Sequence, residues 1–306
     1  MDEPVKMKFR AHDTFFLRKG WLNKGMRNVQ REAGVFLGAD GNPMDVLGIG
    51  ANMVKALRYW LQAVGLTTEP QGGRRIQHLT PLGERILQND PYTEEMGTLW
   101  LLHYKLATNK ENATAWYYFF NEFRPVEFNR DDFILGLNKY ILNNGLEVSE
   151  RSLEDDFTCI INTYVPRSKS NPEKVQPESN IDCPLGELGM IDIANKKQRI
   201  YKKSTPKKDS IHPLILLAVI LEQAKGEREI RISAIQNNLC NAGKVFNLDI
   251  ISLTHMLTKI EHMGFIKVIR TAGLDIIRVE TEMDFYGCVD AYYSTIGSNG
   301  QVRSEA

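Results

Sequence analysis

The clearest periodicity lies in the C-terminal third. Ile211 to Ala224 is almost continuously apolar, with Pro213 in the first turn of the predicted helix, where a missing N–H costs nothing. Ser233 is placed to cap a second helix, AIQNNLCNAGKVF, and Leu248 or Asp249 opens a third, IISLTHMLTKIEHMGF. In that third helix Ile250, Leu253, Leu257 and Ile260 recur every three or four residues as one buried stripe. Met256 and Met263 flank the stripe, and Gly264 ends the helix. Ser252, His255, Lys259 and His262 fall on the other side. Two alternating runs follow, IKVIRT and DIIRVE, joined through Ala272-Gly273-Leu274 as a hairpin. Three helices and a two-stranded ribbon predict a winged helix-turn-helix.

The first 88 residues repeat the theme. Helices are predicted over Gly20 to Ala33, Met44 to Gly48 and Ala51 to Val64, the last ended by Gly65. Met53, Leu57, Trp60, Leu61 and Val64 make its apolar face, and Asn52, Lys55, Arg58, Tyr59 and Gln62 its opposite face. LTTEPQGGRRIQHLTPLGERIL then has a polar turn at Gln71-Gly72-Gly73, two arginines at its tip, a return strand and a helix from Pro81, the grammar of a wing.

Residues 94 to 164 read as four helices, EEMGTLWLLHYKLA, ATAWYYFFNEF, RDDFILGLNKYILNNG and SLEDDFTCIINTYV. Trp100, Trp116, Tyr117, Tyr118, Phe119 and Phe120 recur at helical spacing and are expected to be core. The expected fold is mainly α with small β-wings, winged helix-turn-helix modules standing at both ends of a central helical bundle. Its divisions are a first module over 1–88, an acidic middle over 89–192, a basic linker over 193–210, a second module over 211–293 and a flexible tail over 294–306. Pro166 to Asn180 and Ser204 to Ser210 have linker composition.

Composition agrees with a folded soluble chain: 306 residues, 42% hydrophobic and 25% charged. No apolar run approaches a membrane span, and MDEPVKMKFRAHD lacks the apolar stretch of an export signal, so the cytosol is the expected compartment. The 38 basic and 38 acidic residues cancel, which at first argues against a polyanion partner. Divided along the chain, however, residues 1–88 hold 13 basic against 8 acidic, 89–192 hold 9 against 18, and 193–306 hold 16 against 12. Two mildly basic ends therefore flank an acidic middle, an asymmetry suited to end modules that meet phosphate. Ile193 to Lys208 contains no acid at all and reads either as a solvated linker or as an arm laid along a backbone.

A helix in the major groove needs amide and guanidinium groups that span two atoms of a base edge. Asn52, Arg58 and Gln62 supply them, with Lys55 beside them and Arg74 and Arg75 on the wing for phosphate or the minor groove. Ser252, His255, Lys259 and Arg270 form a second candidate set. No cofactor or metal is expected. Glu150, Glu154, Asp155 and Asp156 point in different directions on a helix and read as an acidic first turn after a Ser152 cap. His12 and Asp13 are adjacent, which suits a turn better than a catalytic pair. Cys183 precedes a proline with no base close by, and the four cysteines form no CxxC pair. No phosphate loop, nucleophile elbow, zinc-protease helix or dinucleotide fingerprint is present, so the expectation is a protein that is not an enzyme.

KFRAHDTFFLRKGWLNKG, VLGIGANMVKALRYWLQAVGL with LTPLGERIL, and CPLGELGMI together resemble a bacterial family, the domain-of-unknown-function family 4007, over nearly the whole chain to about Tyr293. The resemblance implies genes encoded beside sulfurtransferases similar to phosphoadenosine-phosphosulfate reductase, as in DNA phosphorothioation and phage-defence islands. It carries over no catalytic residue. The expected function is a non-catalytic recognition or regulatory subunit that binds duplex DNA and meets a sulfurtransferase-containing modification complex, with the acidic middle as docking surface. Two rivals are a scaffold whose modules dock partner subunits, and a sulfur-relay or nuclease component using Cys183 or the carboxylates of the middle.

Overall fold

The computed structural model describes residues 6–70, 74, 76–166, 183–271 and 274–304. The chain divides into two compact units, Met1–Ser204 and Thr205–Ala306. Both are mainly α with small antiparallel sheets, and among the described residues no helix is long and apolar enough to cross a membrane. The expected boundaries at 88 and 192 fall inside the first unit. Counted by unit, basic and acidic residues number 27 and 26 in the first and 11 and 12 in the second, so the asymmetry along the chain does not persist between folded units.

In the first unit α1 (Trp21–Arg31) packs on α3 (Ala51–Ala63), with the short α2 (Pro43–Leu47) between them in sequence. The two long helices approach closely because Gly25 has no Cβ; one built there would sit 2.7 Å from Leu61 Cδ1. β1 (Thr67–Thr68) and β2 (His78–Leu79) pair antiparallel, and α4 (Pro81–Asn89) begins at Thr80, whose hydroxyl accepts from the amide of Gly83. Gly83 also lets this helix touch the chain before β1, since a Cβ would lie 2.2 Å from the Leu66 carbonyl oxygen. The expected wing tip at Gln71-Gly72-Gly73, together with Arg75, lies outside the described residues.

α5 (Met96–Thr108), α6 (Thr114–Asn121), β3 (Glu127–Phe128), α7 (Arg130–Asn143) and α8 (Glu150–Tyr164) follow the four predicted helices. Their aromatic residues are core, as the spacing indicates: Trp100, Trp116 and Phe119 are fully buried, and Phe119 packs edge-on to Phe128 at 5.3 Å. α8 begins at Glu150 after Ser149, so Ser152 is a residue of its first turn and not the cap. Most of the Pro166 to Asn180 linker lies outside the described residues.

The first part of the acid-free stretch expected as a basic linker, as far as Lys203, is instead a hairpin. β4 (Ile191–Asn195) pairs with β5 (Ile200–Lys203), and β5 also pairs with β3, giving the order β3-β5-β4. Tyr201 stands opposite Phe128. The Lys203 ammonium donates to the carbonyls of Phe119 and Phe123 at the end of α6, so that cation satisfies a helix terminus and not a phosphate.

The second unit runs α9 (Pro213–Ala224), β6 (Glu229–Arg231), α10 (Ile232–Asn237), α11 (Ala242–Val245), α12 (Ile250–His262), β7 (Ile266–Thr271), β8 (Leu274–Val279) and α13 (Phe285–Ser304). β8 is central in the order β6-β8-β7, with Ile266 opposite Val279 and Thr271 opposite Leu274; the expected turn residues Ala272 and Gly273 lie outside the described residues. The single helix expected after Ser233 is two short ones. Arg231 precedes the first without a side-chain capping bond, Cys240 takes a left-handed conformation with φ 63°, and the Asn241 side chain caps the second. α13 continues past Ser294, where a flexible tail was expected, after burying Phe285, Cys288, Val289, Tyr292 and Tyr293; it packs against α9.

Candidate nucleic-acid interface

α3 follows two glycines with separate tasks. Gly48 ends α2 at φ 60°, and Gly50 starts α3 in an extended conformation with no side-chain cap on its first amides. Burial of Val54, Leu57, Trp60 and Leu61 turns Asn52 and Lys55 to solvent. Lys24 of α1 stands beside this end of the helix, its ammonium 4.0 Å from the place a Cβ on Gly48 would take. Arg74 is exposed between β1 and β2.

The other predicted contacts on α3 are already engaged. Arg58 donates from Nε and Nη2 to Glu69 Oε1, each at 2.7 Å, and Gln62 Nε2 donates to the same oxygen at 3.0 Å. Buried Gln77 completes the cluster, donating to Glu69 Oε1 at 3.3 Å and to the Arg58 carbonyl at 3.0 Å. Sequence reading missed this hub because Glu69 sits 11 residues from Arg58, in a turn whose path local periodicity does not fix. Tyr59, expected on the polar face, is buried. Desolvation pushes its phenol well above the ordinary range, and the nearby Asp156 and Cys159 push the same way.

Beneath α3 lies a feature that the adjacent His12 and Asp13 did not announce. His12 Nε2 meets Oδ1 of Asp156, on α8, at 2.8 Å, and the same oxygen accepts the Arg10 amide at 2.9 Å. His12 packs among Tyr59, Trp60 and Trp116. Burial raises the Asp156 pKa, against the opposing pull of His12.

In the second unit, Lys259 of α12 pairs with Asp209, and His255 Nε2 stands 3.5 Å from the same carboxylate. The Lys259 hydrogen bond, more than any other influence, holds the Asp209 carboxyl below the usual range. The amide of Ser252 donates to the capping Asp249, and Arg270 pairs with Asp275 across the hairpin at 3.3 Å. The first turn of α12 exposes Ile250 and Ile251, at 50% and 78%. The structure therefore exposes Asn52, Lys55 and Arg74 in the first unit, ties Arg58 and Gln62 to Glu69, and ties Lys259 and Arg270 to carboxylates of the second.

The family described as "Protein of unknown function (DUF4007)" matches residues 9–293. The chain belongs to the DUF4007 family. Two solved structures resemble this DUF4007 chain along most of its length. A magnesium ion-bound SspB crystal structure has a TM-score of 0.81 at 25% identity, and an SspB crystal structure has 0.80 at 26%; each match covers 94% of this chain and 88% of the other. No curated protein matches.

Magnesium belongs to the first of those structures. In this DUF4007 chain the α8 carboxylates part company: Glu154 faces Arg130 at 3.2 Å, Asp155 faces Arg10 at 2.7 Å and Asp156 faces His12. Among the described residues no three His, Cys, Asp or Glu side chains gather as a metal site. Cys183 is buried, as is Cys159, whose thiol burial pushes well above its ordinary range.

Proposed function

We propose that this DUF4007 protein is a non-catalytic DNA-binding subunit of a phosphorothioation-type DNA-modification or phage-defence system, acting in recognition or regulation. In this reading α2, α3 and the β1–β2 turn form a winged helix-turn-helix, with α3 laid against duplex DNA. The observation that carries it is the exposed polar start of α3. Asn52 and Lys55 are exposed on a helix whose first amides have no side-chain cap, Lys24 flanks it, and Arg74 stands on the following turn. An asparagine can bridge the two polar atoms of an adenine edge, while the lysines and the arginine neutralise phosphates.

Glu69 has a definite part in this reading: it fixes Arg58 and Gln62 as supports of the helix face, leaving direct contact to Asn52, Lys55 and Arg74. Likeness to the SspB structures supports membership of such a system, and the modest net charge of each unit implies weak binding without a specific site or a partner. The test is fluorescence anisotropy of a labelled 20-base-pair duplex against full-length protein over a salt series. Lys55→Glu combined with Arg74→Glu should weaken binding by about tenfold or more and reduce the salt slope by about one for each phosphate no longer neutralised. Equal affinities at low salt would remove the first unit from the DNA interface.

A further inference from the structure

Ile251, exposed on α12, stands at the mouth of a groove that DNA binding does not explain. Ile251 lines it together with Pro206, Ile211, Leu248 and Met256, and its volume is about 460 Å³. Every lining residue belongs to the second unit. A β-branched apolar side chain left 78% exposed beside such a groove is a contact surface waiting for a partner. Its rim is basic. Lys207 and Lys208 are exposed and carry no ion pair among the described residues, whereas Lys259 and His255 are occupied by Asp209. The carboxylate of Asp249, next in sequence to the lining Leu248, accepts from the Ser252 amide and caps α12.

We infer that this groove docks a short acidic segment of a partner protein, in which one or two large apolar side chains enter the groove and flanking carboxylates meet Lys207 and Lys208. Apolar depth with a polar, charged rim is the anatomy of a peptide-anchoring site, and the unpartnered lysines select the sign of the flanks. Met256 in the wall adapts to differently shaped anchors. A DNA base edge finds no matching donor or acceptor on Ile250 or Ile251, and a phosphate would desolvate against them without compensation. The inference does not depend on DNA contact by the first unit.

The probe is a fluorescein-labelled peptide, Glu-Asp-Glu-Phe-Asp-Leu-Leu-Glu-Asp, titrated with full-length protein at physiological salt. Two control peptides replace its acidic residues by lysine or its apolar residues by serine. Saturable binding is expected for the first peptide only, and Ile251→Ser, or Lys207→Glu with Lys208→Glu, should each weaken it by about tenfold or more, as removal of one buried anchor does. Both substitutions lie on exposed side chains, and circular dichroism checks that the variants stay folded. Equal binding of all three peptides, no binding of any, or indifference to both variants overturns the inference. So does weakened duplex binding by the same variants with peptide binding unchanged, or a concentration-dependent dimer in sedimentation that Ile251→Ser abolishes, since the groove would then serve nucleic acid or a second copy.

Discussion

His12 and Asp156 touch at 2.8 Å across 144 residues of sequence, with side chains 0% and 2% exposed. This pair, with the Arg10 amide on the same carboxylate oxygen, joins the segment before α1 to α8. The N-terminal third of the chain is thus fastened to the helical middle by a buried polar contact as well as by the Trp60–Trp116 edge contact at 5.4 Å.

His12→Ala should therefore destabilise the first unit by about 2–5 kcal/mol, because it leaves a buried carboxylate short of a donor and opens a space among three aromatic rings. Asp156→Asn should cost less, since an amide oxygen still accepts from Arg10. Urea denaturation of the two variants beside the parent measures both, and a His12→Ala loss below about 1 kcal/mol would show that the pair is dispensable.

The same carboxyl fixes the sign of a pH effect. Its folded pKa is raised, chiefly by desolvation, above the ordinary 3.8. The stability it contributes is then fully present below that ordinary value and is lost as pH rises through the folded pKa. The stability of the parent relative to Asp156→Asn should accordingly fall as pH increases from about 4. Denaturation midpoints of the two proteins over pH 4 to 8 provide the comparison; a difference that grows with pH would mean that pairing with His12 outweighs burial.

How far the sequence disclosed these arrangements depended on distance along the chain. The stripes of α3 and α12 were legible because Leu57, Trp60 and Leu61, or Leu253, Leu257 and Ile260, lie within three turns of one another, although Ile250, expected in the second stripe, is exposed in the first turn of α12. Tyr59 departs from the polar face that its spacing indicates because α3 is enclosed on more than one side, by Gly25 of α1 and by the ring cluster around His12, and a single stripe does not describe such a helix. The β4–β5 hairpin escapes local pattern since its strands are short and the partner of Tyr201 is Phe128, far upstream. In the candidate interface, exposed Asn52 and Lys55 followed from helix geometry alone, but the capture of Arg58 by Glu69 needed the chain's return through β1.

Glu69 should prove structural in its own right. Its carboxylate gathers Arg58, Gln62 and Gln77 in a half-buried site, where hydrogen bonds to a charged group contribute about 1.5–3 kcal/mol before solvent screening reduces the figure. Glu69→Ala should lower thermal stability by about 1–2 kcal/mol after that reduction. A variant as stable as the parent would deny the hub its role, whatever happens to DNA affinity.

Thiol chemistry separates the sulfur-relay rival from the rest. Cys159, Cys183 and Cys288 are buried and Cys240 is half-buried; burial also pushes the Cys288 thiol up to about 12. Ellman's reagent at pH 8 should find at most one fast thiol per native chain and the others only on unfolding. Cys183→Ser should leave the fast count unchanged. A fast thiol that vanishes in that variant would show Cys183 to be accessible and reactive.

The strand pairing of β5 with β3 also sets a schedule for synthesis. Tyr201 and Lys202 supply the partners of Phe128 and Glu127, and Lys203 the donor that closes the end of α6. At about 5–20 residues per second, the ribosome takes about 4–15 s to travel from Phe128 to Lys203. Throughout that interval the aromatic helices already made lack one strand and one clamp, so the first unit passes through an obligatory unfinished state each time the chain is translated.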